Sequence, residues 1–152
     1  MRKIAQKQLE LRDTQSALHT CNLIKDGKNK VKLLSNIAIL QTRKKGKIEC
    51  TKTIDAALLL VNELMDYETS EFFYRTALAQ AIIEELETAL KTSKLISDPI
   101  IKTATCCDIA LELFYHIKDS EAQKVMIRAY NLAKKTKNYN YKGFSCVQVT
   151  FL

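Results

Sequence analysis

The sequence predicts an all-α fold, built as an array of antiparallel helical hairpins with about six helices. Three observations predict it. The chain has one proline and three glycines, and apolar residues recur at helical spacing through most of its length. Landmarks of residues 98–138 also recur 72 positions earlier. Scarce Gly and Pro, the usual breakers of regular structure, favour helix nearly throughout. A pattern that repeats at a fixed spacing indicates a repeat architecture.

A 72-residue internal duplication explains why identical residues stand at matched positions. Asp26 matches Asp98, and the pair Ile37-Ala38 matches Ile109-Ala110. Further identities are Lys30 with Lys102, Glu49 with Glu121, Lys52 with Lys124, Ala57 with Ala129, and Leu60 with Leu132. The unit is therefore predicted to be one long helix followed by one helical hairpin, used twice.

The predicted helices follow from breakers and caps. Residues 2–25 and 70–97 contain no Gly or Pro, so each is predicted to form one long helix. Asp98 and Pro99 suit an N-cap and a first turn. The hairpins are predicted to consist of helices at about 28–43 and 48–65, and at about 99–117 and 120–137.

We expect one helical-repeat domain over residues 1–138, with unit one at about 1–66 and unit two at about 70–138. In the tail, residues 139–152, Gly143 and the alternating apolar residues that follow favour an extended form. The tail is a truncated or degenerate third unit. Either the chain is cut from a longer array, or a decayed repeat serves as an end cap.

Each hairpin resembles a tetratricopeptide-type repeat. The resemblance is carried by Ile37-Ala38 followed by Cys50, Ile54 and Ala57, and by Ile109-Ala110 followed by Ala122, Met126 and Ala129. Small residues let paired helices approach, and the bulky one fills the groove between them. The tryptophan, tyrosine and closing proline of that family are not evident. The resemblance implies a right-handed α-solenoid, and a non-repeat helical bundle is the alternative.

The resemblance also implies where a partner binds, because the first helix of each such hairpin lines a concave groove. The implied groove residues are Lys32, Ser35, Ile39, Thr42 and Arg43 in unit one, and Ala104, Cys107, Leu111, Phe114 and Tyr115 in unit two. The first set is polar and basic, and the second is apolar and aromatic. Such a surface suits a segment with an acidic end and an apolar end. Alternatively, Leu111 and Phe114 pack against the tail or a missing repeat.

The expected function is a non-enzymatic scaffold that binds another protein. We identify no catalytic residues, no cofactor site and no metal site. A helical metal site needs several ligands at helical spacing, and the only such pair that we identify is Glu112 with His116, so we interpret His19 and His116 as partly exposed helix residues. Cys106 and Cys107 have no cationic neighbour to lower a thiol pKa, so we interpret them as core residues. The acidic run at 84–87 is interpreted as a solvated face.

The alternative function is binding of nucleic acid or another polyanion by a basic N-terminal hairpin. Residues 1–50 carry a net charge of +8, whereas residues 51–100 carry −5 and residues 101–152 carry +4. The basic residues around the first hairpin are Lys25, Lys28, Lys30, Lys32, Arg43, Lys44, Lys45 and Lys47. Few aromatic residues lie among them, so a base-stacking platform is not favoured.

The chain is expected to be cytoplasmic and not to associate with a membrane. It has no apolar run of the roughly 18 residues that a membrane helix needs. Residues 1–13 show no apolar core of a signal peptide. The five cysteines are odd in number and show no C-x-x-C spacing, which indicates reduced thiols. A homo-oligomer formed through the C-terminal end is also possible.

Overall fold

The computed structural model describes residues 1–43, 46–116 and 119–136. The all-α prediction is confirmed for this part of the chain. Its eight α-helices are α1 Arg2–Glu10, α2 Thr14–Asn22, α3 Gly27–Arg43, α4 Lys47–Leu58, α5 Asp66–Ile82, α6 Leu86–Lys94, α7 Pro99–Tyr115 and α8 Asp119–Thr136, and a short 3-10 turn lies at Val61–Glu63. The tail at 139–152 and the basic residues Lys44 and Lys45 lie outside the described residues.

The prediction of about six helices is wrong, because both long helices are broken. Residues 2–25 form α1 and α2, and residues 70–97 lie in α5 and α6. The breaks contain Arg12 and Glu84, whose φ angles are 57° and 64°. A single residue in the left-handed region can end a helix where neither Gly nor Pro is present. Residues other than glycine rarely adopt this conformation. The sequence therefore carries no breaker at either position.

Sequential helices pack in pairs. α1 packs on α2, α3 on α4, α5 on α6, and α7 on α8. Between pairs, α3 contacts both α1 and α5, and α5 contacts α7 as well as α3. Helices α3 and α5 are thus central to the described fold, and the surface between them is shared by two hairpins.

The apolar core follows this pairing. One cluster joins α1, α2, α3 and α5 and includes the buried residues Val31, Leu34 and Ile37. A second, around Ile109, joins α5, α6, α7 and α8. Ile109 is fully buried, which agrees with an α7 sequence that is apolar on most faces. A smaller cluster joins α3, α4 and the C-terminal end of α5.

Helix caps fix where several elements begin. The Asp98 carboxylate accepts hydrogen bonds from the backbone N–H groups of Ile100 and Ile101 at 2.8 and 3.0 Å, with Pro99 in the first turn. The N-cap prediction for α7 is therefore confirmed. Asp13 caps α2 in the same way through the N–H of Ser16, at 3.0 Å. Among the described helices, none combines the length and apolarity needed to cross a membrane.

Candidate functional site

The structure gives the predicted groove residues of unit one different degrees of exposure along α3. Lys32 is exposed, and Arg43 is exposed at the last helical position. Ser35 is buried and donates its hydroxyl proton to the carbonyl oxygen of Val31 at 3.0 Å. Ile39 is half-buried. Lys32, Ser35 and Ile39 all line clefts beside α3.

The unit-two residues lie on α7, the helix that contributes Ile109 to the second core cluster. Cys107 is 1% exposed and belongs to that core. Leu111 is half-buried, and Phe114 is half-buried against the same cluster. Tyr115, in contrast, is 81% exposed. A residue as buried as Cys107 cannot contact a partner. Only the members of this set that reach the surface can do so.

One cleft lies between α3 and α5. Its volume is about 380 Å³. Apolar side chains and the Ser35 hydroxyl form part of it, and charged side chains from both helices form the rest. The lining residues are Val31, Lys32, Ser35, Asn36, Leu64, Glu68, Glu71, Phe72 and Arg75.

Two smaller clefts continue this surface onto α1. A cleft of about 220 Å³ is lined by Arg2, Gln6, Asn29, Lys32, Leu33 and Asn36. Another, of about 340 Å³, is lined by Gln6, Leu9, Glu10, Asn36, Ile39, Leu40 and Arg75. All three clefts share Asn36. We call the three together the α3 cleft, a surface that crosses α1, α3 and α5.

A charged cluster lies at one end of the α3 cleft. The ammonium nitrogens of Lys28 and Lys32 each lie 2.8 Å from the same oxygen of Glu68. Glu68 also accepts a long hydrogen bond from the N–H of Met65, at 3.5 Å. The two lysine partners hold the pKa of Glu68 down at about 2. The cluster therefore links α3 to the start of α5.

A second polar network lies one turn further along. The Arg75 guanidinium donates to Asn36 Oδ1 at 2.8 Å and to Glu71 Oε1 at 2.9 Å. Asn36 is on α3, whereas Arg75 and Glu71 are on α5. This network crosses the middle of the α3 cleft and holds Asn36 in place.

Cys106 and Cys107 are buried core residues, as the sequence predicts. The expectation that Cys106 has no cationic neighbour is wrong, because Lys102 and Arg128 lie close enough to oppose the rise in the pKa of its thiol. Burial raises the pKa of Cys21 and Cys50 to about 11, and it also raises the pKa of Cys106. Among the described residues, no group of three His, Cys, Asp or Glu side chains has the geometry of a metal site. His19 is exposed, and His116, at the C-terminal end of α7, lies 3.9 Å from Glu84 in the α5–α6 turn.

The most connected residues of the site were missed by the sequence analysis. Glu68, Glu71 and Arg75 lie in the stretch predicted as part of a long helix and its preceding break, and Asn36 received no role. The spacing of Glu71 and Arg75, four residues apart, is a local signal for a helical ion pair. Nothing local indicates that Arg75 reaches Asn36, 39 residues earlier.

Comparison with known proteins identifies no relative. No protein-family model, curated protein or solved structure matches this chain. The function must therefore be argued from the α3 cleft itself.

Proposed function

We propose that the protein is a non-enzymatic interaction scaffold that binds a segment of another protein in the α3 cleft. The observation that carries this proposal is that three clefts, lined by residues of α1, α3 and α5, have Asn36 in common. Its mixture of apolar and charged side chains suits a peptide, which also presents both. Binding sites are typically concave and lined by apolar groups with a few placed polar ones.

We further propose that the chain is a tetratricopeptide-like α-solenoid with an internal duplication. The helix bounds support this. Helices α2 and α6 differ by 72 positions at both ends, and so do α3 and α7, while α4 and α8 begin 72 positions apart. The left-handed residues Arg12 and Glu84 are separated by the same spacing. The contacts from α1 to α3, α3 to α5 and α5 to α7 suit stacked hairpins.

A cytoplasmic location is part of the proposal. Cys21, Cys50, Cys106 and Cys107 are buried thiols, as is usual where cysteines are kept reduced and serve as small apolar residues. We also propose a homo-oligomer formed through the C-terminal end. Sedimentation velocity over a range of protein concentrations would reveal it.

The experiment that tests the scaffold is selection from a random peptide library displayed on phage. Asn36→Arg places a bulky cation where the clefts meet and should abolish capture of the selected peptides. Asn22→Arg, the same exchange at an exposed position at the end of α2, is the matched control. Peptides that bind both variants equally well would show that the α3 cleft is not the binding site.

The alternative, polyanion binding, is favoured by the +8 charge of residues 1–50. Against it, carboxylates already engage several of those cations: Glu68 pairs with Lys28 and Lys32, and Glu85 lies 3.8 Å from Lys47. A single-stranded RNA and a DNA duplex should be titrated at low and high salt. Affinity that falls log-linearly with salt, and that Lys25→Gln with Lys30→Gln weakens, would favour the alternative.

A further inference from the structure

Two partly exposed lysines near the N-terminus of α3 share one acceptor at this end of the α3 cleft. Lys28 and Lys32 share one carboxylate oxygen of Glu68, so two ammonium groups face one negative charge. Their side chains are 40% and 52% exposed, whereas the Glu68 side chain is 10% exposed. Each ammonium group has three N–H donors, and the shared oxygen accepts only one from each. The solvent side of this pair can therefore accept a second carboxylate.

Arg2 adds to the same end. Its guanidinium donates to Asn29 Oδ1 at 3.1 Å, which holds α1 to the first turn of α3. Arg2 and Lys32 line the same part of the cleft. Arg2, Lys28 and Lys32 form a group of cations at this end, where the carboxylates of Glu68, Asp26 and Glu63 lie as well. Glu68 keeps the two lysines close together, so their remaining N–H donors are in place before any ligand arrives.

The other end of the cleft combines apolar side chains with the polar side chains of Gln6, Glu10, Asn36 and Arg75. Its apolar side chains are those of Ile39 and Leu40 on α3 and of Leu9 on α1, which is buried. Ile39 and Leu40 are half-buried, so part of each side chain still meets solvent. An apolar side chain placed there would remove that surface from water, which is favourable in proportion to the area covered.

The distance between the two ends sets the spacing of a ligand's side chains. Lys32 and Leu40 are separated by eight helical residues, which is about 12 Å at the helical rise. An extended segment covers about 3.3 Å per residue, so roughly four residues span that distance. A helical segment would need about eight residues. Asn36 lies between the two ends, and its amide NH2 group can donate to a main-chain carbonyl of an extended segment.

We propose that the α3 cleft selects an extended segment with an acidic side chain over Lys28 and Lys32 and an apolar side chain about four residues away over Ile39 and Leu40. This inference rests on the scaffold function proposed above and names the chemistry of its partner. The acidic group is a side-chain carboxylate within the segment. A free C-terminal carboxylate has the same chemistry, and the test separates the two.

The test uses phage libraries of ten-residue peptides whose C-termini are fused to the coat protein, so that no free C-terminal carboxylate is present. Glu and Leu are fixed two, four or eight residues apart, and the other positions are randomised. A further library at separation four carries Gln for Glu. Enrichment on the immobilised protein should be highest at separation four, and about tenfold above the Gln library, as expected for losing one hydrogen bond to a charged group.

Two variants locate the effect. Lys32→Gln should remove the preference for Glu over Gln, because the acidic side chain loses its partner. Lys52→Gln removes the same charge from an exposed position on α4 and should keep the preference. Circular dichroism and melting temperatures of both variants verify that they are folded. Equal enrichment of the Glu and Gln libraries, or an equal effect of the two variants, would overturn the inference.

The outcomes also separate this inference from the scaffold function. If fully random peptides bind in an Asn36-dependent way but carry no acidic side chain, the scaffold stands and the inference fails. Enrichment at separation eight would mean that a helical partner binds, which contradicts the extended segment. If synthetic peptides bind only with a free C-terminus, and lose binding on amidation, the side-chain assignment is wrong. If no library yields peptides that depend on Asn36, both proposals fail.

Discussion

Arg12 and Glu84 hold the same left-handed backbone conformation, with φ angles of 57° and 64°. Each lies in the short turn between two paired helices, α1 with α2 and α5 with α6. An L-residue in this region is disfavoured because its Cβ approaches the following carbonyl oxygen. The two turns therefore keep a conformation that glycine would adopt without that contact.

We predict that Arg12→Gly and Glu84→Gly each raise the free energy of unfolding, by about 0.5 to 1 kcal/mol, because relief of the steric cost exceeds the added freedom of the unfolded chain. Urea unfolding of each variant measures the change. Lys91→Gly, at an exposed position inside α6, is the control and should lower the free energy of unfolding by about 1 kcal/mol. Destabilisation by both turn variants would show that their side-chain contacts outweigh the backbone cost.

The Lys28–Glu68–Lys32 cluster should make the free energy of unfolding depend on pH in the acid range. Its lysines lower the pKa of Glu68 from 4.5 to about 2 in the folded protein. The unfolded chain therefore binds a proton first as the pH falls, and the stabilisation present above pH 4.5 is lost between that pH and about 2. Glu68→Gln should remove this component. The difference in unfolding free energy between wild type and Glu68→Gln should be constant at neutral pH and shrink steadily in acid.

The matched variant for this titration is Lys28→Gln combined with Lys32→Gln. It leaves the carboxylate but removes the ammonium groups that lower its pKa. Its stability should lose the same acid-dependent component as Glu68→Gln does. High salt should reduce the wild-type effect, since both lysine side chains are partly exposed. If the acid-dependent part of the unfolding free energy persists in both variants, it arises from other carboxylates.

The buried thiols should resist alkylation in the folded protein. Burial raises the pKa of Cys21 and Cys50 to about 11, so at pH 8 almost none of either is the reactive thiolate. Iodoacetamide labelling followed by peptide mass spectrometry should show slow modification of both residues in buffer and rapid modification in urea. A Cys146→Ser background removes the cysteine that lies outside the described residues. Equal rates with and without urea would contradict the burial of these thiols.

Two residues of α7 should differ sharply in their contribution to stability. Ile109 is fully buried between α7 and its neighbours, so Ile109→Ala should cost about 2 to 5 kcal/mol. Tyr115 is 81% exposed, and Tyr115→Ala should change the free energy of unfolding by less than about 0.5 kcal/mol. Denaturant unfolding measures both. A comparable cost for Tyr115→Ala would place its ring against a surface outside the described residues.

Helices α3 and α7 show where sequence reasoning succeeded. Both were predicted to within two residues of their observed bounds, because each has a strong local pattern of buried apolar positions. For α7, Asp98 and Pro99 mark the start as well. The breaks at Arg12 and Glu84 were not predicted, since no local residue there disfavours a helix. At each break the chain reverses, so that α1 packs on α2 and α5 packs on α6.

The candidate site divides in the same way. Lys32, Ser35 and Ile39 were named from their positions along one helix, and they do line the α3 cleft. Cys107 was named by the same reasoning but is buried in a core cluster. Position on a helix specifies which residues share a face, and only the neighbouring helices determine whether that face is covered.

The sequence by itself determined the helical class, the positions of the strongly patterned helices and the excess of basic residues near the N-terminus. These properties depend on residues close together in the chain, where spacing and caps act directly. The tertiary structure alone decided that Glu68 lies between two lysines of α3 and that Arg75 reaches Asn36. Those contacts join residues 36 to 40 positions apart, so they arise only when α5 packs against α3 and brings their side chains within a few ångströms.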